Sequence, residues 1–207
     1  MTATTKTAAL VVGAGAVENA WAPVLRALQP YHDFQLTADG ANSFLARLIF
    51  LIRWWASSDS PLFRAELAKH KKFLATIRQA ICTELKLAET ANEIRVRSDF
   101  EEIVKAMLIE HSREFMLVTT NWDCVVETTL AGYLNRKFRC TVLPLHVHGS
   151  VANPDTLYLP TEMTKEPYRS SADNRQSVVC TAESGMVSNG RIESSSMAFR
   201  CRPLMLS

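Results

Sequence analysis

Three short apolar runs, each ending abruptly in glycine or small polar residues, most constrain the fold of this chain. Ala8 to Val12 runs into Gly13-Ala14-Gly15-Ala16, Phe115 to Thr120 into Asn121-Trp122-Asp123, and Thr141 to Val147 into His148-Gly149-Ser150. A continuous apolar run of this length reads as a strand buried on both faces, the pattern of a parallel sheet. Parallel strands require crossovers, and the intervening segments carry helical spacing. The first strand should be followed by a helix from about Glu18 to Leu28, with Trp21, Val24, Leu25 and Leu28 on one face and Pro23 tolerated in its first turn. The expected class is α/β, with a parallel sheet as the organising layer.

From Ala41 to about Glu114 the spacing is helical, which exceeds a simple crossover and predicts an inserted helical layer. Leu45, Leu48, Ile49 and Ile52 make one stripe, and Phe73, Leu74, Ile77, Ile81 and Leu85 another. Ser60-Pro61 reads as an N-cap and first helical residue, and Ser98 with Glu101 as a capping box. The greasiest stretch, Phe44 to Trp55, is broken by Arg47 and Arg53 and reads as a core helix, not a membrane span. The apolar run after Lys6 is too short for a signal peptide and is better explained as the first strand.

A net charge of +2 gives no reason to expect a nucleic-acid surface, and the run Lys69, Lys71 and Lys72 beside His70 reads as a solvated helix face. The five cysteines are odd in number, widely spaced and without a C-x-x-C pair. That argues against a disulfide framework and a structural zinc site, and suits a reducing cytoplasm.

The chemistry gathers at the strand ends, where open α/β sheets bind ligands. Gly13 and Gly15 would let the backbone approach a pyrophosphate, with Ala14 and Ala16 completing the turn; a tight turn without ligand reads equally well. The third glycine of a dinucleotide fingerprint is missing, with Asn19 and Ala20 near its place. Asn121 and Asp123 are costly polar groups to put directly after an apolar strand unless they cap a helix or face a ligand. An amide at Asn121 suits a ribose hydroxyl or a water, and a carboxylate at Asp123 suits a carboxamide NH₂. His148 is a candidate general base, favoured over His146 because Gly149 adjoins it; on an ideal strand the two imidazoles share a face.

As an ordered set these segments resemble the sirtuin-like NAD-binding domains, in particular the zinc-free bacterial branch of antiviral defence. Gly13-Ala14-Gly15-Ala16 is similar to the family's phosphate loop, Thr120-Asn121-Trp122-Asp123 to its T-x-N-aromatic-D segment, and His148-Gly149-Ser150 to its catalytic H-G element. The likeness spans about Leu10 to Leu159 and implies a Rossmann-like sheet with a helical insertion over about 41–114. It further implies NAD as substrate and no metal. Gly13 to Ala16 would hold the pyrophosphate, Asn121 would orient ribose or attacking water, Asp123 would hold nicotinamide and His148 would act as base. Thr120, Gly149 and Ser150 would complete the cofactor-binding set. With no four-cysteine zinc module, hydrolysis of NAD to nicotinamide and ADP-ribose is expected ahead of protein deacylation. The alternative is a truncated, catalytically inactive NAD-binding or interaction protein. A related dinucleotide is an equal candidate ligand, no nucleic-acid or membrane partner is expected, and a homo-oligomer is left open.

The domain is expected over 1–175, with an irregular tail over 176–207 and a sheet incomplete at the C-terminus. Back-translating Asn189 to Ser207 with permitted codons and reading one base earlier can yield Val-Ile-Leu-Tyr-Gly-Leu-Ser, which resembles the family's late strand and Gly/Ser loop. The expectation is a frameshifted tail.

Overall fold

The computed structural model describes residues 7–108, 114–138, 141–163 and 166–169. The chain opens with strand β1 (Thr7–Val12), a 3-10 turn (Ala14–Ala16), the two-residue strand β2 (Val17–Glu18) and helix α1 (Trp21–Leu28). Two long helices follow, α2 (Ala38–Trp55) and α3 (Pro61–Thr90), then the short strand β3 (Arg95–Val96) and helix α4 (Phe100–Leu108). Strand β4 (Glu114–Thr119), helix α5 (Val125–Phe138) and strand β5 (Thr141–His146) complete the regular elements, with a last 3-10 turn at Pro154–Thr156.

The sheet has the order β1-β4-β5 with both pairings parallel, so α/β is the class. Its register sets Val12, Thr119 and His146 side by side, and all three are buried. One residue earlier, Val11, Val118 and Leu145 align on the opposite face, where Val11 is 70% exposed. The described helices thus cover one face of the sheet. This corrects the expectation for β1, which lies at an edge of the described sheet with β4 in its centre. An apolar run shows that its residues tolerate burial; whether both faces receive cover is decided by the rest of the chain.

The helical insertion forms as its spacing dictates. Leu45, Leu48, Ile49 and Ile52 are buried on α2, and Leu74, Ile77, Ile81 and Leu85 on α3. Each such side chain is worth about 1.5–3 kcal/mol of transfer free energy. Ser60 caps α3 through a hydrogen bond accepted from the Phe63 N–H at 3.3 Å, with Pro61 at the first helical position. Among the described residues no helix is long and apolar enough to cross a membrane.

Several local expectations need correction. Helix α1 starts at Trp21, because Val17–Glu18 pairs antiparallel with Arg95–Val96 and Asn19 turns the chain with φ 60°. Asparagine is among the few residues that adopt this left-handed conformation readily. The same pairing interrupts the insertion with a strand that two residues of pattern could not reveal. Helix α4 begins at Phe100, with the Asp99 carbonyl accepting from Ile103 N–H, so Ser98 and Glu101 are one residue out of capping register. The segment after β5 is irregular and is clamped to the insertion by buried charge. Glu162 contacts Arg78 of α3 at 2.5 Å and Arg169 at 3.1 Å, while Glu166 receives Arg53 of α2 at 2.5 Å. Residues 170–207, including the irregular tail, its proposed frameshift and the end of the expected 1–175 domain, lie outside the described residues.

Candidate functional site

The carboxyl ends of β1 and β4 are joined directly. The Thr120 N–H donates to the Val12 carbonyl at 3.0 Å, and a Cβ at Gly13 would lie 3.2 Å from Thr120 Oγ1. A side chain at Gly13 would thus fit tightly against the second loop, requiring the Thr120 hydroxyl to give by a few tenths of an ångström. Gly15 has nothing within 4 Å of its Cβ position, so no packing demands glycine there and the loop surface beside it is open. Ala14 and Gly15 are exposed, while Ala16 is held by its N–H to the Gly13 carbonyl and by Arg97 N–H to its own carbonyl.

Between these loops lies a cleft of about 110 Å³, lined by Ala14, Trp21, Leu85, Thr120, Asn121 and Asp123 among others. Asn121 is 5% exposed, yet neither Oδ1 nor Nδ2 of its amide has a hydrogen-bond partner. Its main chain is fully engaged: the N–H donates to Thr119 Oγ1 at 3.0 Å and the carbonyl faces His146 Nδ1 at 3.0 Å. A rigidly held backbone carrying a buried, unsatisfied amide is an arrangement that a ligand with both donor and acceptor groups would complete.

Asp123 is buried beside it. Burial raises its carboxyl above the ordinary range, against a hydrogen bond from the Val125 N–H at 3.2 Å. Cys124 occupies the N-cap position of α5, its carbonyl accepting from Thr128 N–H. Asp123 sits one residue earlier and adds its own hydrogen bond to the first turn. The Cys124 N–H is taken by Glu89 at 2.7 Å, a residue near the end of α3 whose carboxyl is likewise raised by burial. Trp122 donates from its indole to the Tyr158 carbonyl at 3.1 Å, and its own carbonyl accepts from Val151 N–H. Thus Leu85 and Glu89 of the insertion reach the site, which their helical spacing alone did not announce.

The two histidines differ. Strand β5 ends at His146, so Val147 and His148 turn away and the shared face of an ideal strand does not exist. His146 is buried with Nε2 2.9 Å from Glu127 Oε1 and 2.8 Å from Oε2. Burial lowers its pKa, but the Glu127 carboxylate and the Asn121 carbonyl outweigh that, leaving it above the ordinary 6.5. His148 is exposed, its main-chain carbonyl accepting from Tyr158 N–H at 2.9 Å.

Gly149 has φ +73°, and a Cβ there would lie 2.1 Å from the Thr156 carbonyl oxygen. Its glycine is required by its own backbone and packing, so room beside the imidazole is not the reason for it. Ser150 is buried and accepts from Ala152 N–H at 3.3 Å. The cleft therefore unites Ala14, Thr120, Asn121 and Asp123, while Gly15, Ala16, His148, Gly149 and Ser150 are not among its lining residues. No family model, curated protein or solved structure matches this chain.

Proposed function

We propose that this chain binds NAD on a Rossmann-like sheet and hydrolyses it to nicotinamide and ADP-ribose. The reading rests on the sirtuin-like motif set, and the observation that carries it is the unsatisfied, buried amide of Asn121. Asn121 is among the residues lining a cleft at strand carboxyl ends, where ligands of parallel α/β sheets bind. The cleft is smaller than the roughly 300–1,000 Å³ of complete small-molecule sites. It suits one ring of the dinucleotide, with the pyrophosphate lying along the open Gly13 to Ala16 turn. In this arrangement Asp123 accepts from the carboxamide NH₂ of nicotinamide, and the cationic pyridinium offsets the burial that raises its carboxyl.

Breaking the C1′–N bond returns the electron pair to the pyridinium nitrogen, so nicotinamide leaves neutral and an oxocarbenium ion develops on the ribose. Asn121 orients the water that adds to C1′, and His148 takes that water's proton. Binding without turnover is a second reading, favoured by the exposed position of His148 outside the lined cleft. A cytoplasmic role in antiviral defence goes with the first reading through the resemblance alone.

The test is nicotinamide release from NAD by the purified full chain beside His148→Ala and Asn121→Ala. Release that both substitutions abolish supports hydrolysis. NAD binding without release favours the second reading, and folded protein that does not bind NAD refutes both.

A further inference from the structure

Next to the Asn121 to Cys124 segment, and not among the residues that line the cleft, three side chains of metal-ligand type converge without any role in the reading above. We propose that Cys124, Glu127 and His146 form a binding site for a divalent transition-metal ion of the zinc type. One ligand atom from each lies within 4.8 Å of the other two. The three come from the cap of α5, its first turn and the end of β5, so their meeting is a product of the fold.

His146 is oriented as a metal ligand needs, with one ring nitrogen fixed by a main-chain carbonyl and the other turned to the cluster. Nδ1 lies 3.0 Å from the Asn121 carbonyl, an acceptor only, so Nδ1 carries a hydrogen and Nε2 is the ring atom that would take an ion on the other side. Nε2 faces both oxygens of Glu127 at 2.8–2.9 Å. In the ion-free chain the imidazole and the Cys124 thiol both hydrogen-bond to Glu127, and a divalent ion would replace their two protons at the point where the three groups converge.

The surrounding charge favours such an ion. The carboxyl groups of Glu89, Asp123 and Glu127 lie close enough to act on one another, with the His146 imidazole near Asp123 and Glu127 and Lys86 near Glu89. Glu89 approaches through the Cys124 N–H at 2.7 Å, holding the thiol residue in place.

Zinc bonds of about 2.0–2.3 Å in a tetrahedron set ligand atoms about 3.3–3.8 Å apart, so His146 and Glu127 need only part by roughly half an ångström. Three protein ligands leave a fourth position for water. The ion would fix the Asn121 peptide through His146 Nδ1 and so act as a positioning centre for the cleft. It is independent of whether the cleft takes NAD.

Titration of the reduced, chelator-stripped full chain with Co²⁺ tests the site. Expected are one equivalent bound, the near-ultraviolet thiolate-to-cobalt charge-transfer band, the visible bands of tetrahedral cobalt, and displacement of all of them by Zn²⁺. Cys124→Ser should remove the charge-transfer band, Cys82→Ser should leave it, and Glu127→Gln and His146→Gln should each weaken binding at least tenfold. Circular dichroism identifies any variant that has failed to fold, and the Cys82→Ser and Cys124→Ser pair then carries the decision. Folded chain that takes up neither ion overturns the proposal, as does a charge-transfer band that survives Cys124→Ser.

Discussion

Replacing Asn121 with leucine should make the unliganded protein more stable while destroying its hold on NAD. In the structure the side chain is 5% exposed and both polar atoms of its amide lack partners. A buried polar group left in that state costs about 1–3 kcal/mol, whereas an apolar group of similar shape does not carry the penalty. The adjoining cleft of about 110 Å³ gives the leucine methyl groups room without overpacking. The loop itself should survive, because the Asn121 N–H and carbonyl bind Thr119 and His146 independently of the side chain. The expected gain is therefore about 1–3 kcal/mol, or about 2–4 °C in Tm for each kcal/mol in a chain of this size. Urea unfolding followed by tryptophan fluorescence measures it, and differential scanning fluorimetry with and without NAD measures the loss of the ligand-induced shift. A fall in stability of more than about 1 kcal/mol would show that the amide has structural partners. An NAD shift equal to that of the unsubstituted chain would show that it is not a ligand group.

Gly149→Ala should destabilise the fold by at least the roughly 1–2 kcal/mol of a left-handed residue, with the 2.1 Å approach to the Thr156 carbonyl adding to it; a urea midpoint unchanged from the parent would contradict this. Glu162→Gln should cost about 3–5 kcal/mol, since it strands the buried guanidinium groups of Arg78 and Arg169. Burial alone would raise the Glu162 carboxyl, but Arg78 and Arg169 outweigh it and hold it below the ordinary 4.5. A depressed folded-state pKa contributes stability that is present above 4.5 and lost as pH falls through the lower folded value, so the gap between parent and variant should shrink with acid. Unfolding curves from neutral pH down to the acid limit read that gap, and a gap that widens would reverse the sign argued here. Ser60→Ala should cost about 1 kcal/mol through loss of the α3 cap, while Ser60→Asp should retain stability; equal unfolding midpoints for all three chains would dismiss the cap.

Local features of the sequence determined much of this protein. The three apolar runs became the three parallel strands because strand length and end signals lie within a few residues of one another. Ser60-Pro61 and the stripes of α2 and α3 were legible for the same reason: caps and 3.6-residue spacing involve neighbours along the chain. The association of Thr120, Asn121 and Asp123 with a strand end likewise followed from sequence adjacency. Tertiary structure decided the rest. Whether the face bearing Val11 is covered, and that Leu85 and Glu89 of the insertion reach the Asn121 segment, depend on contacts between residues far apart in the chain. The two histidines, identical in type and two residues apart, acquire different chemistry because β5 stops between them and α5 sets Glu127 against only one. The reason for Gly149 lies in a carbonyl seven residues onward, brought within 2.1 Å of its Cβ position by the turn that follows. Spacing along a chain encodes which side chains share a face of an element; which elements then meet is set by packing, and that is where this site was assembled.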